Sequence, residues 1–194
     1  MPSDIRALSA SEVLRELATL FGAAAHDRHV YTVFGSCDRL RSFATRLRRE
    51  VGKASFDKLG RVSFISLNTE LIEHVRQRGE YDLFARLADQ RRDEQLKAML
   101  SAAFRDLITS RIESRDVAGL VLADFELLYA YDLGANDISL VRQVAINGKR
   151  VCMLVPGAIT DGRLWIFDAD RESRREFPEA LVFKNSGWVF ELTD

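Results

Sequence analysis

Residues 117–126 read VAGLVLADFE, a short apolar run that ends in two acidic residues separated by a phenylalanine. The run from Val117 to Leu122 has the length and apolar character of a buried strand. It lacks the alternation of polar and apolar residues that marks a half-exposed strand. A strand covered on both faces is typical of a parallel sheet between two layers of helices. The stretch therefore predicts an α/β fold.

Similar strands and helices extend outward from this run in both directions. Strands are predicted at residues 29–34, 61–66 and 151–155, the last of them ending at Pro156-Gly157. Helices are predicted over 9–25, 38–51, 90–114 and 127–146, where apolar residues recur every three or four positions. One more helix is predicted to begin at Asn68 or Thr69 and to end near Gly79. From residue 29 onward the order is βαβαβαβ, which predicts a three-layer, open, mostly parallel sheet.

The C-terminal tail has a different character. Residues 163–167, 180–183 and 188–192 are short strand-like runs, and the turn-rich sequence KNSG joins the last two. This pattern suits a hairpin and predicts a small antiparallel C-terminal extension of the sheet. The chain has 194 residues and no low-complexity linker, so we expect a single α/β domain over residues 1–194.

Composition limits the partners and the compartment. The 28 basic and 29 acidic side chains give a formal net charge of -1, so no global field attracts nucleic acid or anionic lipid. No run approaches the roughly 20 apolar residues of a membrane span. The N-terminus has no signal-peptide pattern, and two cysteines suit reduced thiols. We expect a cytoplasmic protein that does not associate with membranes.

A ligand of an open α/β sheet binds beyond the carboxyl ends of the strands. After the first predicted strand the sequence is FGSCDRL, which has one glycine, no lysine, and Asp38 where a phosphate would lie. A nucleotide-binding P-loop needs several glycines, a lysine and a hydroxyl. The fold is therefore expected to be degenerate P-loop-like. The candidate residues of this strand-end crevice are Ser36, Cys37, Asp38, Asp124, Glu126, Pro156 and Gly157.

Two of these positions allow a chemical alternative. Asp124 and Glu126 resemble the acidic end of a magnesium-holding strand, but without a phosphate cradle we interpret them as helix N-terminal residues favoured by the helix dipole. The alternative is a remnant nucleotide site. Cys37 is interpreted as a small structural thiol, with a nucleophile as the alternative. No metal-binding, cofactor-binding or catalytic motif is recognised, so the sequence predicts no cofactor and no enzyme.

A basic helix follows the first strand. Six positive side chains lie along it, and they do not form one clean face, so the main interpretation is a solvated outer surface. The alternative is contact with a phosphate backbone. The positive side chains are Arg39, Arg41, Arg46, Arg48, Arg49 and Lys53, and the candidates for such contact are Arg39, Arg46 and Arg49.

The C-terminal half, LVLADFELLYAYDLGANDISLVRQVAINGKRVCMLVPGAITDGRLWIFD, resembles the BrxB family of bacteriophage exclusion (BREX) defence systems. The shared pattern is an apolar strand, an acidic-aromatic segment with a tyrosine, a helix, a strand ending in Pro-Gly, and a G-x-L-x-I-F strand. Here these are residues 120–122, Glu126 to Tyr129, Val155 to Gly157, and Gly162 to Phe167. HVYTVFGSCDRLRSFATRL and RVSFISLNTELIEHV stand where the family has its first two strand-helix units.

The resemblance implies a small non-catalytic subunit of a bacterial anti-phage system. It implies association with other BREX proteins, above all a PglZ-type component of the alkaline phosphatase fold. The residues leave two alternatives open. One is a degenerate P-loop-like ATPase domain that still binds a nucleotide, and the other is a DNA-binding accessory protein.

Overall fold

The computed structural model describes residues 5–22, 29–51, 53, 62–114, 116–131, 140, 141, 143–145, 148–160, 163–166, 175, 176 and 189–193. Residues 140, 141 and 143–145 are helical. The other elements, in chain order, are β1 (Ile5–Leu8), α1 (Ala10–Gly22), β2 (His29–Gly35), α2 (Cys37–Val51), β3 (Val62–Ser66), α3 (Leu67–Gln77), α4 (Tyr81–Asp89), α5 (Asp93–Glu113), β4 (Gly119–Ala123), α6 (Glu126–Ala130), β5 (Arg150–Thr160), β6 (Arg163–Ile166), β7 (Arg175–Glu176) and β8 (Val189–Leu192).

Six of the strands form an open sheet in the order β1-β8-β2-β5-β4-β3. Every neighbouring pair in this order is parallel. The predicted mostly parallel α/β sheet is therefore confirmed. The far end of β5 pairs antiparallel with β6, and β6 pairs antiparallel with β7, which gives the sheet a small antiparallel extension.

Side chains that alternate along the central strands build two cores, one on each face of the sheet. In β4, Leu120 and Leu122 join one core while Val121 and Ala123 join the other. α1 and α2 cover the second of these faces. α3, α5, α6 and the helical residues near 144 cover the first. The sheet thus lies between two helical layers, which explains why β4 is apolar at every position and buried throughout.

Several predicted elements lie close to their predicted positions. Strands were expected at 29–34, 61–66 and 117–122, and β2, β3 and β4 occupy 29–35, 62–66 and 119–123. The long helix expected over 90–114 is α5, preceded by a separate α4. The strand expected at 180–183 and the middle of the helix expected over 127–146 lie outside the described residues. None of the described helices is long and apolar enough to cross a bilayer.

The prediction that the fourth strand ends at Pro156-Gly157 is wrong. β5 runs through both residues to Thr160. Pro156 is buried at the point where β5 passes Gly35, the last residue of β2. Gly157 pairs with Ile166 of β6, and a Cβ atom at Gly157 would collide with the backbone carbonyl of Trp165. The glycine therefore permits close approach of a new antiparallel partner rather than ending the strand.

The placement of the last strand in a C-terminal hairpin is also wrong. β8 lies between β1 and β2, and it is parallel to both. Both of its edges are occupied, so it is an interior strand of the main sheet. The partner β1 was missed because its four residues, IRAL, show neither strict alternation nor a run of β-branched residues.

Gly157→Ala tests the close approach of β5 and β6. The added Cβ meets backbone that cannot move away as a flexible side chain could, so we expect the free energy of unfolding to fall by about 1–3 kcal/mol in urea denaturation. Gly22→Ala is the matched control because its Cβ would meet nothing within 4 Å. A Gly157→Ala protein as stable as the Gly22→Ala protein would contradict the packing described.

The thiol of Cys152 predicts a pH dependence. Cys152 is fully buried, and burial raises the pKa of its thiol well above the ordinary value. Above the ordinary thiol pKa the unfolded chain loses this proton while the folded chain keeps it. The free energy of unfolding must therefore fall as the pH rises above about 9, with a slope that approaches about 1.4 kcal/mol per pH unit from this group.

Cys152→Ala removes that contribution, so its stability should decline less steeply between about pH 8 and pH 10 than that of the wild type. Urea denaturation at a series of pH values measures the slope independently of any loss from the smaller side chain. Cys37→Ala, at an exposed thiol, is the matched control for the loss of one cysteine. Equal slopes in Cys152→Ala and the wild type would show that the buried thiol does not govern this pH dependence.

Candidate functional site

The strand order locates the crevice of the sheet. The chain leaves β2 for α2 on one face, and it leaves β4 for α6 on the opposite face. β5 lies between these two strands. The direction of winding therefore changes at β2 and β5, and such a switch point is where open α/β sheets bind ligands. The carboxyl ends of β2 and β4 are about 10 Å apart there, because each strand spacing is about 4.8 Å.

The turn after β2 is a helix cap. The backbone N–H of Arg39 donates to Ser36 Oγ over 3.4 Å, and the N–H of Leu40 donates to the Ser36 carbonyl over 2.9 Å. Ser36 thus satisfies the first turn of α2 from within the chain. Cys37 and Asp38 follow it and are exposed, and Arg41 lies 3.6 Å from the Asp38 carboxylate. The first turn of α2 therefore presents a negative charge where a phosphate would bind.

A second polar group lies at the carboxyl ends of β3 and β4. Ser66 Oγ donates to the carboxylate of Asp124, and it lies 3.1 Å from Thr69 Oγ1. Asp124 has a φ of 58°, in the left-handed region, where the chain turns from β4 toward α6. Aspartate tolerates this conformation better than most residues. Asp124 directly precedes Phe125, the N-cap residue of α6, so it lies next to the N-terminus of the helix and outside its first turn.

Asn68 joins this group to α6. Its Nδ2 donates to Glu126 Oε2 over 2.7 Å, and its Oδ1 accepts the backbone N–H of Leu127 over 3.0 Å. The backbone N–H of Asn68 also donates to the Asp124 carbonyl over 3.2 Å. Asn68 or Thr69 was expected to cap α3, and this is wrong, because α3 begins at Leu67. Asn68 caps α6, which packs on the same face of the sheet, and Glu126 is the first residue of α6, as the dipole argument expected.

The crevice residues named from the sequence thus divide into separate groups. The hydrogen bonds of Asp124 and Glu126 run to the β3–α3 junction and, among the described residues, none reaches α2. Pro156 and Gly157 carry β5 into the antiparallel extension. Ser66 was not singled out from the sequence, and Asn68 was named only as a possible first residue of its helix. Their position after a strand was visible, but the adjacency of β3 and β4 was not.

Two of the candidate arginines of α2, Arg39 and Arg46, lie on its flank toward α1 and β8. Arg39 Nη1 donates to the Leu192 carbonyl over 3.3 Å, and Arg46 Nη1 donates to Ser11 Oγ over 3.3 Å. Arg49 is exposed. Arg48 lies on the opposite flank, with its guanidinium 4.5 Å from the ring centroid of Phe64 in β3. The positive charges of α2 therefore face two directions.

Neither polar group assembles a metal centre. In the part of the chain that the structure describes, no three histidine, cysteine, aspartate or glutamate side chains are grouped to hold a metal ion. A scan against models of protein families gives no match to this chain, and a search of curated proteins finds none either.

Asn68→Asp tests the link between the first turn of α3 and α6. The substitution keeps an acceptor for the Leu127 N–H but removes the donor to Glu126 and brings two carboxylates together. We expect it to lower the free energy of unfolding by about 1 kcal/mol at neutral pH. The double variant Asn68→Asp/Glu126→Gln should recover most of this loss, because the new amide can donate to the new carboxylate. Additive effects of the two substitutions in urea denaturation would contradict the direct contact.

Proposed function

We propose that this chain is a non-catalytic protein-interaction subunit of a BREX-type phage-defence complex. The observation that supports this most directly is the turn after β2, at the switch point of the sheet. Ser36 caps α2 there, and Asp38 adds a negative charge to the same helix turn. Because the position that would hold a phosphate is acidic, the proposed working parts are contact surfaces.

An exposed apolar patch offers one such surface. Tyr81 and Leu83 at the start of α4 are 38% and 42% exposed, and they are the large hydrophobic side chains that stand out to solvent among the described residues. The guanidinium of Arg76 lies 4.6 Å from the ring centroid of Tyr81. Tyrosine and arginine are the residue types that dominate binding energy in protein interfaces. We call Arg76, Tyr81 and Leu83 the α4 patch and propose that it contacts a partner.

The proposed partner is the PglZ-type component that the resemblance to the BrxB family implies. A connector of this kind would bind its partner stably and would not turn over a substrate by itself. Cytoplasmic location follows from the same proposal. Its role is to hold other components together, so its activity is measured as complex formation.

Nucleotide binding is a second candidate function. It is favoured by the switch point between β2 and β5, and by the two acidic residues at the end of β4. Asp124 and Glu126 would have to leave Ser66 and Asn68 in order to hold a magnesium ion. The protein-interaction function requires no such rearrangement, so it is the one supported better.

Leu83→Glu tests the α4 patch. A charge in the centre of a desolvated contact should weaken binding to the PglZ-type component by more than tenfold, measured by co-purification and then by interferometry with the purified proteins. Folding should be unaffected because Leu83 is exposed. Thr19→Glu, which adds the same charge at an exposed position of α1, is the matched control and should bind as the wild type does.

The outcomes are distinct. Equal loss in both variants would show that added negative charge, and not the α4 patch, weakens the complex. The proposed function itself would be contradicted if the wild-type chain elutes alone and binds none of the proteins encoded beside it.

A further inference from the structure

The charge of α2 departs from that of the whole chain. α2 carries five arginines and two carboxylates, a net charge of +3, in a chain whose formal net charge is -1. Such a local excess can attract a polyanion even when the protein as a whole is neutral. The arginines that could bind a polyanion are those whose charge is not neutralised by a nearby carboxylate.

The carboxylates near α2 bind groups other than Arg39, Arg46 and Arg49. Asp38 pairs with Arg41 at 3.6 Å, and Glu50 pairs with Lys53 at 2.6 Å. On the neighbouring helix α1, Glu16 pairs with Arg6 at 2.8 Å, and Glu12 accepts hydrogen bonds from Ser9. Three of these acids are therefore paired with cations other than Arg39, Arg46 and Arg49, and Glu12 is bonded to a neutral serine.

Among the described residues, Arg39, Arg46 and Arg49 have no carboxylate partner. Within the described residues no carboxylate lies within 4 Å of their guanidinium groups, and the contacts of Arg39 and Arg46 are with a neutral carbonyl and a neutral hydroxyl. A guanidinium has five N–H donors, so one such contact leaves most of them free for a phosphate.

The three arginines share one flank of the helix. At 3.6 residues per turn, positions 39, 46 and 49 fall within a sector of about 80° and span about 15 Å along the axis. The contacts of Arg39 with β8 and of Arg46 with α1 fix the direction of this flank. We call the three residues the arginine stripe. An aligned duplex of B-DNA carries about nine phosphate charges over 15 Å.

The composition of the flank distinguishes a nucleic acid from a protein partner. Protein interfaces have an apolar centre with aromatic anchors. The exposed residues beside the arginine stripe on α1 and α2 are polar or charged, including Ser11, Ser42 and Thr45, whereas the exposed Tyr81 and Leu83 are on α4 in the opposite layer. Hydroxyl groups and arginines are the side chains that bind phosphate oxygens.

We propose that the arginine stripe on α2 binds the phosphate backbone of duplex nucleic acid without sequence preference. The binding is independent of the proposed partner contact, since the α4 patch belongs to the other helical layer. Phosphate contacts position a protein on a duplex but carry no sequence information, so affinity should be moderate and dependent on salt.

Fluorescence anisotropy with a labelled 20-base-pair DNA duplex tests the proposal. Three phosphate contacts predict that the dissociation constant rises about 40-fold between 50 and 200 mM NaCl. Arg46→Gln/Arg49→Gln should weaken binding at least tenfold at 50 mM NaCl and should reduce the salt slope by about two. Arg86→Gln/Arg92→Gln, at exposed positions in the opposite helical layer, makes the same change in net charge and should bind as the wild type does.

Each remaining outcome would overturn the proposal. Equal weakening by both double variants would mean attraction by net charge alone. Equally tight binding of poly-glutamate in the same titration would mean that the stripe recognises acidic protein. Absence of a salt-dependent anisotropy change at 50 mM NaCl would exclude the duplex as a ligand. Thermal melts of both variants confirm that each is folded.

Discussion

The pairing of β2 with two strands from the C-terminal half organises this molecule. Seven residues of β2 pair with residues 150–156 of β5, and its other edge pairs with β8. The N-terminal half therefore cannot complete its own sheet, and β1 joins only through β8. Contacts between segments so far apart in sequence carry a large loop-closure entropy and favour slow folding.

The same arrangement determines where chemistry could occur. Because β2 and β5 lie at the switch point, a ligand of such a sheet would bind at the turn after β2. Here Ser36 uses its hydroxyl to begin α2, and Asp38 follows. The acids at the end of β4 bond to Ser66 and Asn68, so they join adjacent strand ends. The polar groups at this edge of the sheet therefore form hydrogen bonds to neighbouring residues of the chain.

How far the sequence predicts this structure depends on the range of the interactions involved. The buried strands and the long helices follow from local periodicity, and the α/β class follows from their order. The error at β5 has a longer-range cause, because Pro156 and Gly157 are turn residues by local preference. Pairing of Pro156 with β2 and of Gly157 with β6 makes them part of a strand. The error at β8 has the same kind of cause. The local sequence KNSG suggests a hairpin, whereas pairing with strands distant in sequence places β8 between β1 and β2.

The candidate site shows the same limit. The seven crevice residues could be named from strand ends alone. Their grouping depends on strand order, which cannot be predicted from a local sequence pattern. Asn68 illustrates this, because an asparagine after a strand predicts a cap, and only the adjacency of β3 and β4 shows that it caps α6. Arg39, Arg46 and Arg49 could be named from the sequence as candidates for phosphate contact, but the direction of Arg39 and Arg46 required their contacts with Leu192 and Ser11.

The central claim is that the end of β2 does not hold a phosphate. Isothermal titration calorimetry of the purified chain with ATP and magnesium tests it most directly. The account predicts no heat of binding at ATP concentrations up to about 1 mM, which corresponds to less than about 4 kcal/mol of binding free energy. A micromolar dissociation constant that is lost on Asp124→Ala would contradict it, because a nucleotide would then occupy the crevice of the sheet.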